Sequence, residues 1–236
     1  GFIPYCLPAI YLFKKIKFIN TLHEGYTLKN IYKLFILTLF SKKFISVRPN
    51  FKKNIHFLFR LFYSSKQFKF IPNSSPFEDY KFIKLDNSEK KTYLQNQERL
   101  IVYFGFLFPH KGVDLIFEIA DPLKDKILIV GPYDHNDKYH RSISKMANSS
   151  KWEGKVDILG FLEKKEVAKI LTFADSIILP IRSGSGIWNS SLHTAKLFGS
   201  FVLTTSDEKN GYFHEENTYY STPNNINEMS KALNKF

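Results

Sequence analysis

Leu100-Ile-Val-Tyr-Phe-Gly-Phe-Leu-Phe-Pro-His-Lys-Gly-Val-Asp-Leu115 is a short apolar run that stops at a glycine, crosses a loop and restarts with helical spacing. Leu100 to Phe104 has the length and the β-branched and aromatic content of a buried strand, and Val113, Ile116, Phe117 and Ala120 fall on one face of a helix. The same alternation continues downstream. Ile127–Val130, Val156–Leu159, Ser176–Leu179 and Phe201–Thr204 read as strands, and Val167, Ile170, Leu171 and Ala174 mark a second helix face. A last helix opens on Asn225-x-x-Glu228, a capping-box spacing, and buries Ile226, Met229 and Leu233. Upstream, Phe44–Val47 and Phe68–Ile71 read as strands too. Strands separated by helix-length segments belong to parallel sheets with helices on both faces, an α/β fold.

The five strands after the polar, acid-containing stretch Asn87 to Arg99 suffice for one complete Rossmann-like domain. Only two or three strand–helix units fit before it. The expected division is therefore a partial N-terminal domain over 1–90 and a C-terminal domain over 91–236.

Charge divides the chain in a similar place. Residues 1–75 hold 13 Lys and Arg against one acid, Glu24, whereas the rest holds 21 of each sign, so the net +12 sits in the first third. Aromatics such as Phe13, Phe18, Phe35, Phe57 and Phe62 are interleaved with those cations. The pattern suits a solvated basic face or an anionic membrane surface, at about 1 kcal/mol per basic residue near the lipid. Nucleic acid is the weaker reading, because the excess does not extend to the second domain. No stretch reaches the roughly 20 apolar residues of a bilayer span. The run Leu34 to Phe40 is bracketed by Lys33, Lys42 and Lys43, and the lysines near the start follow the apolar stretch instead of preceding it, unlike a signal peptide. The expected place is the cytoplasm, with peripheral contact at the inner face of the membrane. A lone cysteine, Cys6, excludes a disulfide within the chain and a cysteine-built metal site. Gly1 in place of Met reads as a fragment or a processed product.

Two loops carry the chemistry. After Gly105, Lys111-Gly112 opens a helix, and helix N-termini attract anions that a neighbouring lysine would hold further. Taken alone, an ordinary exposed lysine explains the same residues. The second loop is Asp175-Ser-Ile-Ile-Leu-Pro-Ile-Arg-Ser-Gly-Ser-Gly-Ile-Trp-Asn-Ser-Ser191, in which a strand runs through a Gly/Ser segment into a helix start. Gly184 and Gly186 would let backbone approach a phosphate or sugar closely, unless the segment is only a structural connection. His135 and His140, with Asp134 and Asp137, match no metal spacing and read as a solvated turn. His214 with Glu215 and Glu216 reads as a polar loop.

Together these loops resemble the C-terminal domain of family 4 glycosyltransferases (glycosyl transferases group 1), of GT-B type, across residues 98–235. The resemblance includes Ile127-Leu-Ile-Val-Gly131-Pro, Val156-Asp-Ile-Leu-Gly160-Phe, Glu166 and Gly199-Ser-Phe-Val-Leu-Thr-Thr205. It implies a retaining, hexosyltransferase-like enzyme that moves a sugar from a UDP- or GDP-type donor to a glycan or lipid-linked acceptor, with no cofactor and no metal. It places Lys111 at the donor diphosphate, the loop after Gly160 at the base, and Arg182, Gly184, Gly186, Asn189, Ser190 and Ser191 at the sugar and β-phosphate, with Gly105, Gly131 and Gly160 among the donor-binding residues. Lys111 and Arg182 would stabilise the leaving group. Phe18-Ile-Asn-Thr-Leu-His23-Glu looks like the family's strand and loop ending in a histidine that faces the donor sugar, and Phe70-Ile-Pro-Asn73-Ser-Ser-Pro76 looks like its interdomain turn.

Three departures stand out. Phe106 occupies the place of an arginine, Gly186 and Thr194 occupy the places of two glutamates eight residues apart, and the opening strand–helix units of the N-terminal domain are missing. These departures leave a second reading open, a catalytically silent GT-B-like partner that binds a membrane or a sister subunit through residues 1–75.

Overall fold

The computed structural model describes residues 18–22, 39–49, 67–80 and 87–236, which divide into compact units at Asn73/Ser74. His23 and most of the basic, aromatic-rich third lie outside the described residues.

In the first unit, β1 (Phe18–Leu22), β2 (Ser41–Ser46) and β3 (Gln67–Phe70) form a parallel sheet in that order. Phe44, fully buried, stacks on Phe68 across β2 and β3 at 5.1 Å between centroids. That cross-strand aromatic pair fixes the register, since a one-residue slip would turn Phe44 to the opposite face.

The second unit is built on α1 (Asn87–Leu94), β4 (Arg99–Phe104), α2 (Ile116–Ile119), β5 (Asp125–Val130), α3 (Lys138–Ala147), β6 (Val156–Gly160), α4 (Lys164–Phe173), β7 (Ser176–Leu179), α5 (Ser190–Leu197), β8 (Phe201–Thr205), β9 (Gly211–Phe213), β10 (Thr218–Ser221) and α6 (Ile226–Lys235). Its sheet runs β6-β5-β4-β7-β8-β10-β9, parallel throughout except for β9 against β10. The sequence shows five of these strands; the pair β9–β10 comes from a segment read as a polar loop and tail. Its Tyr and Phe residues, among them Tyr212, Tyr219 and Tyr220, pack rings against Phe201, Phe213 and Phe236 instead of forming an aliphatic run.

All six residues of β5 are buried, as a central parallel strand covered on both faces requires. Its two charged residues, at the amino end, are paired. Asp125 takes both prongs of Arg99, at 2.7 and 3.0 Å, and Lys126 reaches Asp157 at 2.9 Å and the Gly154 carbonyl at 3.0 Å. The charges of β5 thus lie at its amino end, and Gly131 follows its carboxyl end.

The helix expected from Val113 is a single 3-10 turn, Val113–Leu115, followed by the four residues of α2. Asp121 precedes Pro122, which disfavours helical backbone, and Ala120 is already extended. The expected face is nonetheless buried. Helix α6 begins as its sequence suggests: the Asn225 side chain accepts from the Glu228 N–H at 3.2 Å. The Glu228 carboxylate returns to the Asn225 amide and the Thr222 N–H, not to the Asn225 backbone.

The division at Asn73/Ser74 corrects the expected boundary at 90/91. Ser75 shares a 2.9 Å hydrogen bond with Thr194, and Phe77, 4% exposed, packs edge-on against Phe104 and Phe198. In α1, Tyr93 donates to Glu166 at 2.6 Å and Lys90 pairs with Asp175 at 2.5 Å. The polar composition of 87–99 therefore belongs to a helix docked on α4, not to a linker.

One ion-pair network ties the far edge together. Glu216 accepts from Lys196 (2.5 Å), from the Tyr220 hydroxyl (2.7 Å) and from Lys209 (3.0 Å). Burial works to raise the Glu216 pKa, but these three donors outweigh it and hold the carboxyl down at about 2, against an ordinary 4.5. A depressed carboxylate contributes stability that is present above pH 4.5 and is lost as pH falls towards 2. Urea unfolding at about pH 6 and about pH 3 should show a steeper acid loss for the unaltered protein than for Glu216→Gln. Equal slopes would mean that the network contributes nothing.

Candidate functional site

Counted from β4, the chain first adds β5 and β6 on one side and then β7 and β8 on the other. The strand order therefore reverses between β4 and β7, and open α/β sheets bind ligands outside the carboxyl ends of the strands at such a point. The two loops singled out in the sequence leave the sheet there, Gly105–Gly112 from β4 and Pro180–Asn189 from β7.

Gly105 is held by its N–H on the Val130 carbonyl at 3.0 Å, with φ of 145°. A Cβ on it would sit 3.8 Å from Cβ of Ser191, so the end of β4 abuts the start of α5. Gly131 lies beside it and donates to the Gly160 carbonyl at 3.0 Å. A Cβ on Gly131 would lie 1.9 Å from the Gly105 carbonyl oxygen. These three glycines, at the ends of β4, β5 and β6, floor an apolar groove of about 280 Å³. Phe104, Phe106, Pro132, Phe161 and Val167 are among its walls, and Phe161 is 81% exposed.

Beyond Gly105, the buried Tyr103 hydroxyl donates to the Phe106 carbonyl at 2.7 Å and supports the loop from below. Exposed Phe106, Phe108 and His110 stack in a row, 5.6 Å from ring to ring. Pro109–Lys111 then makes a 3-10 turn closed by the Lys111 N–H on the Phe108 carbonyl at 2.8 Å. Gly112 ends it in left-handed backbone at φ 68°, and a Cβ there would meet the Pro180 carbonyl oxygen at 2.2 Å. Only glycine satisfies both the turn and this contact.

Arg182 joins the two loops. Its backbone N–H donates to the His110 carbonyl at 3.0 Å and its Nε to the Pro109 carbonyl at 3.2 Å. Nη2 pairs with Asp114 at 2.5 Å and Nη1 reaches Asn224 at 3.3 Å. The other Asp114 oxygen accepts from the Tyr139 hydroxyl at 2.6 Å. Burial, followed by the hydrogen bond to Asp114, pushes the Tyr139 pKa well above the ordinary phenol value. Each guanidinium nitrogen therefore has one protein acceptor, while the side chain stays 39% exposed.

The Gly/Ser loop is pinned in the same way. Ser185 donates through both its N–H and its Oγ to the Thr205 carbonyl, each at 2.7 Å. The missing Cβ of Gly184 makes room for Asp207, and that of Gly186 for the Trp188 ring. Both glycines thus have a packing reason within the chain. Asn189 turns its side chain back to accept from the Gly186 N–H at 2.8 Å. Helix α5 consequently starts without a side-chain cap, and the first N–H groups of its opening turn, at Ser190 and Ser191, are those a helix cannot satisfy internally. An uncapped helix start beside Gly105 is an anion-binding arrangement.

His140 is buried, not on the solvated turn expected for it. Its Nδ1 accepts from the Asp134 N–H at 2.8 Å, so its Nε2 is the donor to the Leu107 carbonyl at 2.9 Å. The ring links the loop after β5 to the loop after β4 in its neutral form.

The structure thus sets Gly105, Gly131, Gly160 and Ser191 together and joins Arg182 to the turn that ends in Lys111, both at the carboxyl end of the sheet. Gly184 and Gly186 lie in the loop after β7 against Asp207 and Trp188, and His23 lies outside the described residues. Sequence reasoning missed Asp114, Tyr139, His140 and Asn224. Asp114 carries a signal in its position one turn after Lys111; the other three carry none.

The family profile described as "Glycosyl transferases group 1" matches residues 85–236. No curated protein gives a significant sequence match. Among solved structures, sucrose-phosphate synthase from Thermosynechococcus elongatus superposes with a TM-score of 0.75 at 15% identity, covering 98% of this chain and 61% of the other. HepE from Anabaena, in complex with UDP and glucose, gives 0.75 at 15% identity, covering 98% and 66%. WaaG, a glycosyltransferase involved in lipopolysaccharide biosynthesis, gives 0.63 at 17% identity, covering 92% and 65%. The chain therefore spans about three fifths to two thirds of the length of the structures it matches.

Proposed function

Since this chain belongs to the glycosyl transferases group 1 family, we propose that it transfers a hexose, with retention, from a UDP- or GDP-sugar to a glycan or lipid-linked acceptor. Its fold is of GT-B type, as the structural neighbours show. The observation that carries the reading is that Gly105 abuts the uncapped start of α5, while the Lys111–Gly112 turn, packed on Pro180, lies in the loop from the same end of β4. A nucleoside diphosphate suits that arrangement: its phosphates meet the open N–H groups at the start of α5 with Lys111 on the neighbouring loop, and its flat base meets the apolar groove. HepE, a structural neighbour, was solved with UDP and glucose.

In the proposed reaction the bond from the anomeric carbon to the β-phosphate oxygen breaks, and the acceptor hydroxyl oxygen takes its place on that carbon. The acceptor proton leaves with the departing diphosphate or to solvent. Lys111 and the Ser190–Ser191 end of α5 stabilise the charge that grows on the diphosphate, a term commonly worth several kcal/mol when donors are preorganised. His23 is proposed at the sugar. No metal enters this scheme, the counter-charge being assigned to Lys111 and the helix start. The acidic headgroups of a cytoplasmic membrane face are the proposed partner of residues 1–75.

UDP or GDP should raise the melting temperature of the protein by several degrees at concentrations about a hundredfold above Kd, a linkage of about 2.7 kcal/mol. No response to either would sink this reading. A second reading, of a silent partner, is favoured by Thr194. It stands where the family usually has an acid, is fully buried and is bonded to Ser75. Stabilisation by the diphosphate without consumption of any nucleotide sugar would select that reading.

A further inference from the structure

We infer that Arg182 is a positioning residue, which with Asp114 and Tyr139 forms a latch holding the Lys111 turn in its phosphate-binding shape. The inference rests on the proposed donor site and concerns how that site is kept in form.

Its first support is where the guanidinium donors go. Nε, Nη1 and Nη2 are each assigned to a protein acceptor, and the residue's own N–H takes a fourth, the His110 carbonyl. Two of these acceptors, the carbonyls of Pro109 and His110, belong to the turn that ends in Lys111. Arg182 thus grips that turn from the β7 loop, 73 positions away at Pro109.

The second support is electrostatic. Asp114 sits at the ion-pair distance of 2.5 Å and cancels the Arg182 charge. A neutralised guanidinium attracts a diphosphate far less than a free one. The carboxylate is itself held by Tyr139 from α3, so the latch reaches three segments of the sheet's carboxyl end. Asn224, in left-handed backbone at φ 62°, closes it by accepting from Nη1 and donating to the Arg182 carbonyl, each at 3.3 Å.

The third support is the turn's own weakness. Lys111 N–H to Phe108 and Gly112 N–H to Pro109, at 2.8 and 3.2 Å, close it, and a turn this short has little helical cooperativity. Gly112 adds backbone freedom in the unlatched state. Contacts from outside must therefore hold Lys111 in one place.

The test uses Arg182→Lys and Asp114→Asn, each alone and combined with Lys111→Ala. Affinities for UDP or GDP, whichever the unaltered protein binds, and for the matching nucleoside would come from calorimetric titration, and amide hydrogen exchange would be followed in residues 108–115. Arg182→Lys keeps the charge but loses the planar fork, so it should weaken diphosphate binding about tenfold and leave the nucleoside unaffected. Asp114→Asn should weaken it as well, and both should speed exchange at Lys111 and Gly112 while β5 amides stay protected. With Lys111 already replaced, Arg182→Lys should change affinity by less than about twofold, because its effect runs through that lysine. Direct phosphate contact by Arg182 predicts the reverse signs: Asp114→Asn would tighten binding, and the Lys111 and Arg182 effects would multiply. Either result, or unchanged exchange across 108–115 in both variants, overturns the latch. If the unaltered protein binds no nucleoside diphosphate, the donor-site reading fails, and the exchange data alone decide whether the latch exists.

Discussion

Gly131→Ala should destabilise the protein by about 3 kcal/mol and abolish nucleotide binding at the same time. The added Cβ would lie 1.9 Å from the Gly105 carbonyl oxygen and 3.0 Å from the Leu107 side chain. The first of these is backbone, with no rotamer to turn away, so the ends of β4 and β5 must part. Parting them breaks the bond from Gly105 N–H to the Val130 carbonyl and shifts Gly105 away from Ser191. Gly160→Ala is the matched control. It too lies at the end of a strand, in left-handed backbone at φ 70°, but a Cβ there meets nothing within 4 Å. Its cost should be about 1 kcal/mol, that of a left-handed residue with a side chain. Chemical denaturation of both variants checks the difference. Equal small losses would show that the glycine floor is not as close-packed as described.

Lys111→Ala carries the second large effect, on binding and not on stability. A hydrogen bond to a charged partner is worth about 1.5–3 kcal/mol, so loss of the lysine should weaken UDP or GDP binding by about thirtyfold. The matching nucleoside should bind as before, since the groove lined by Phe104, Gly131 and Phe161 is untouched. Turnover should fall further than affinity, because charge on the diphosphate is greatest as it leaves. Calorimetric titration of diphosphate and nucleoside onto the variant separates these effects. An equal loss for both ligands would place Lys111 at the base or in the fold.

The strands of the second unit were legible because parallel strands buried on both faces are continuous apolar runs, as in Ile127–Val130. The Lys-Gly and Gly/Ser loops were legible because glycine marks chain reversals. What escaped were pairings between distant positions. Asp114 and Arg182 are 68 residues apart, and neither residue type announces a partner at that range. Arg182 consequently read as a phosphate ligand, with no sign of its bonds to Pro109, Asp114 and Asn224. His140 read as solvated because its neighbours Asp134, Asp137 and Lys138 are polar, although the ring itself points to the Leu107 carbonyl. The domain boundary moved to Asn73/Ser74 because one aromatic, Phe77, finds its core among Phe104 and Phe198. The exposed row Phe106, Phe108 and His110 was visible only as separate residues until the turn stacked them.

The proposed nucleoside diphosphate lies over the carboxyl ends of β4, β5 and β6, with its phosphates towards the start of α5. Amide hydrogen exchange with and without saturating UDP or GDP tests this placement most directly. Protection should appear in peptides covering 105–112, 160–164 and 184–192, with little change around 211–235. Protection confined to other segments, or none with either nucleotide, would contradict a donor site at this end of the sheet.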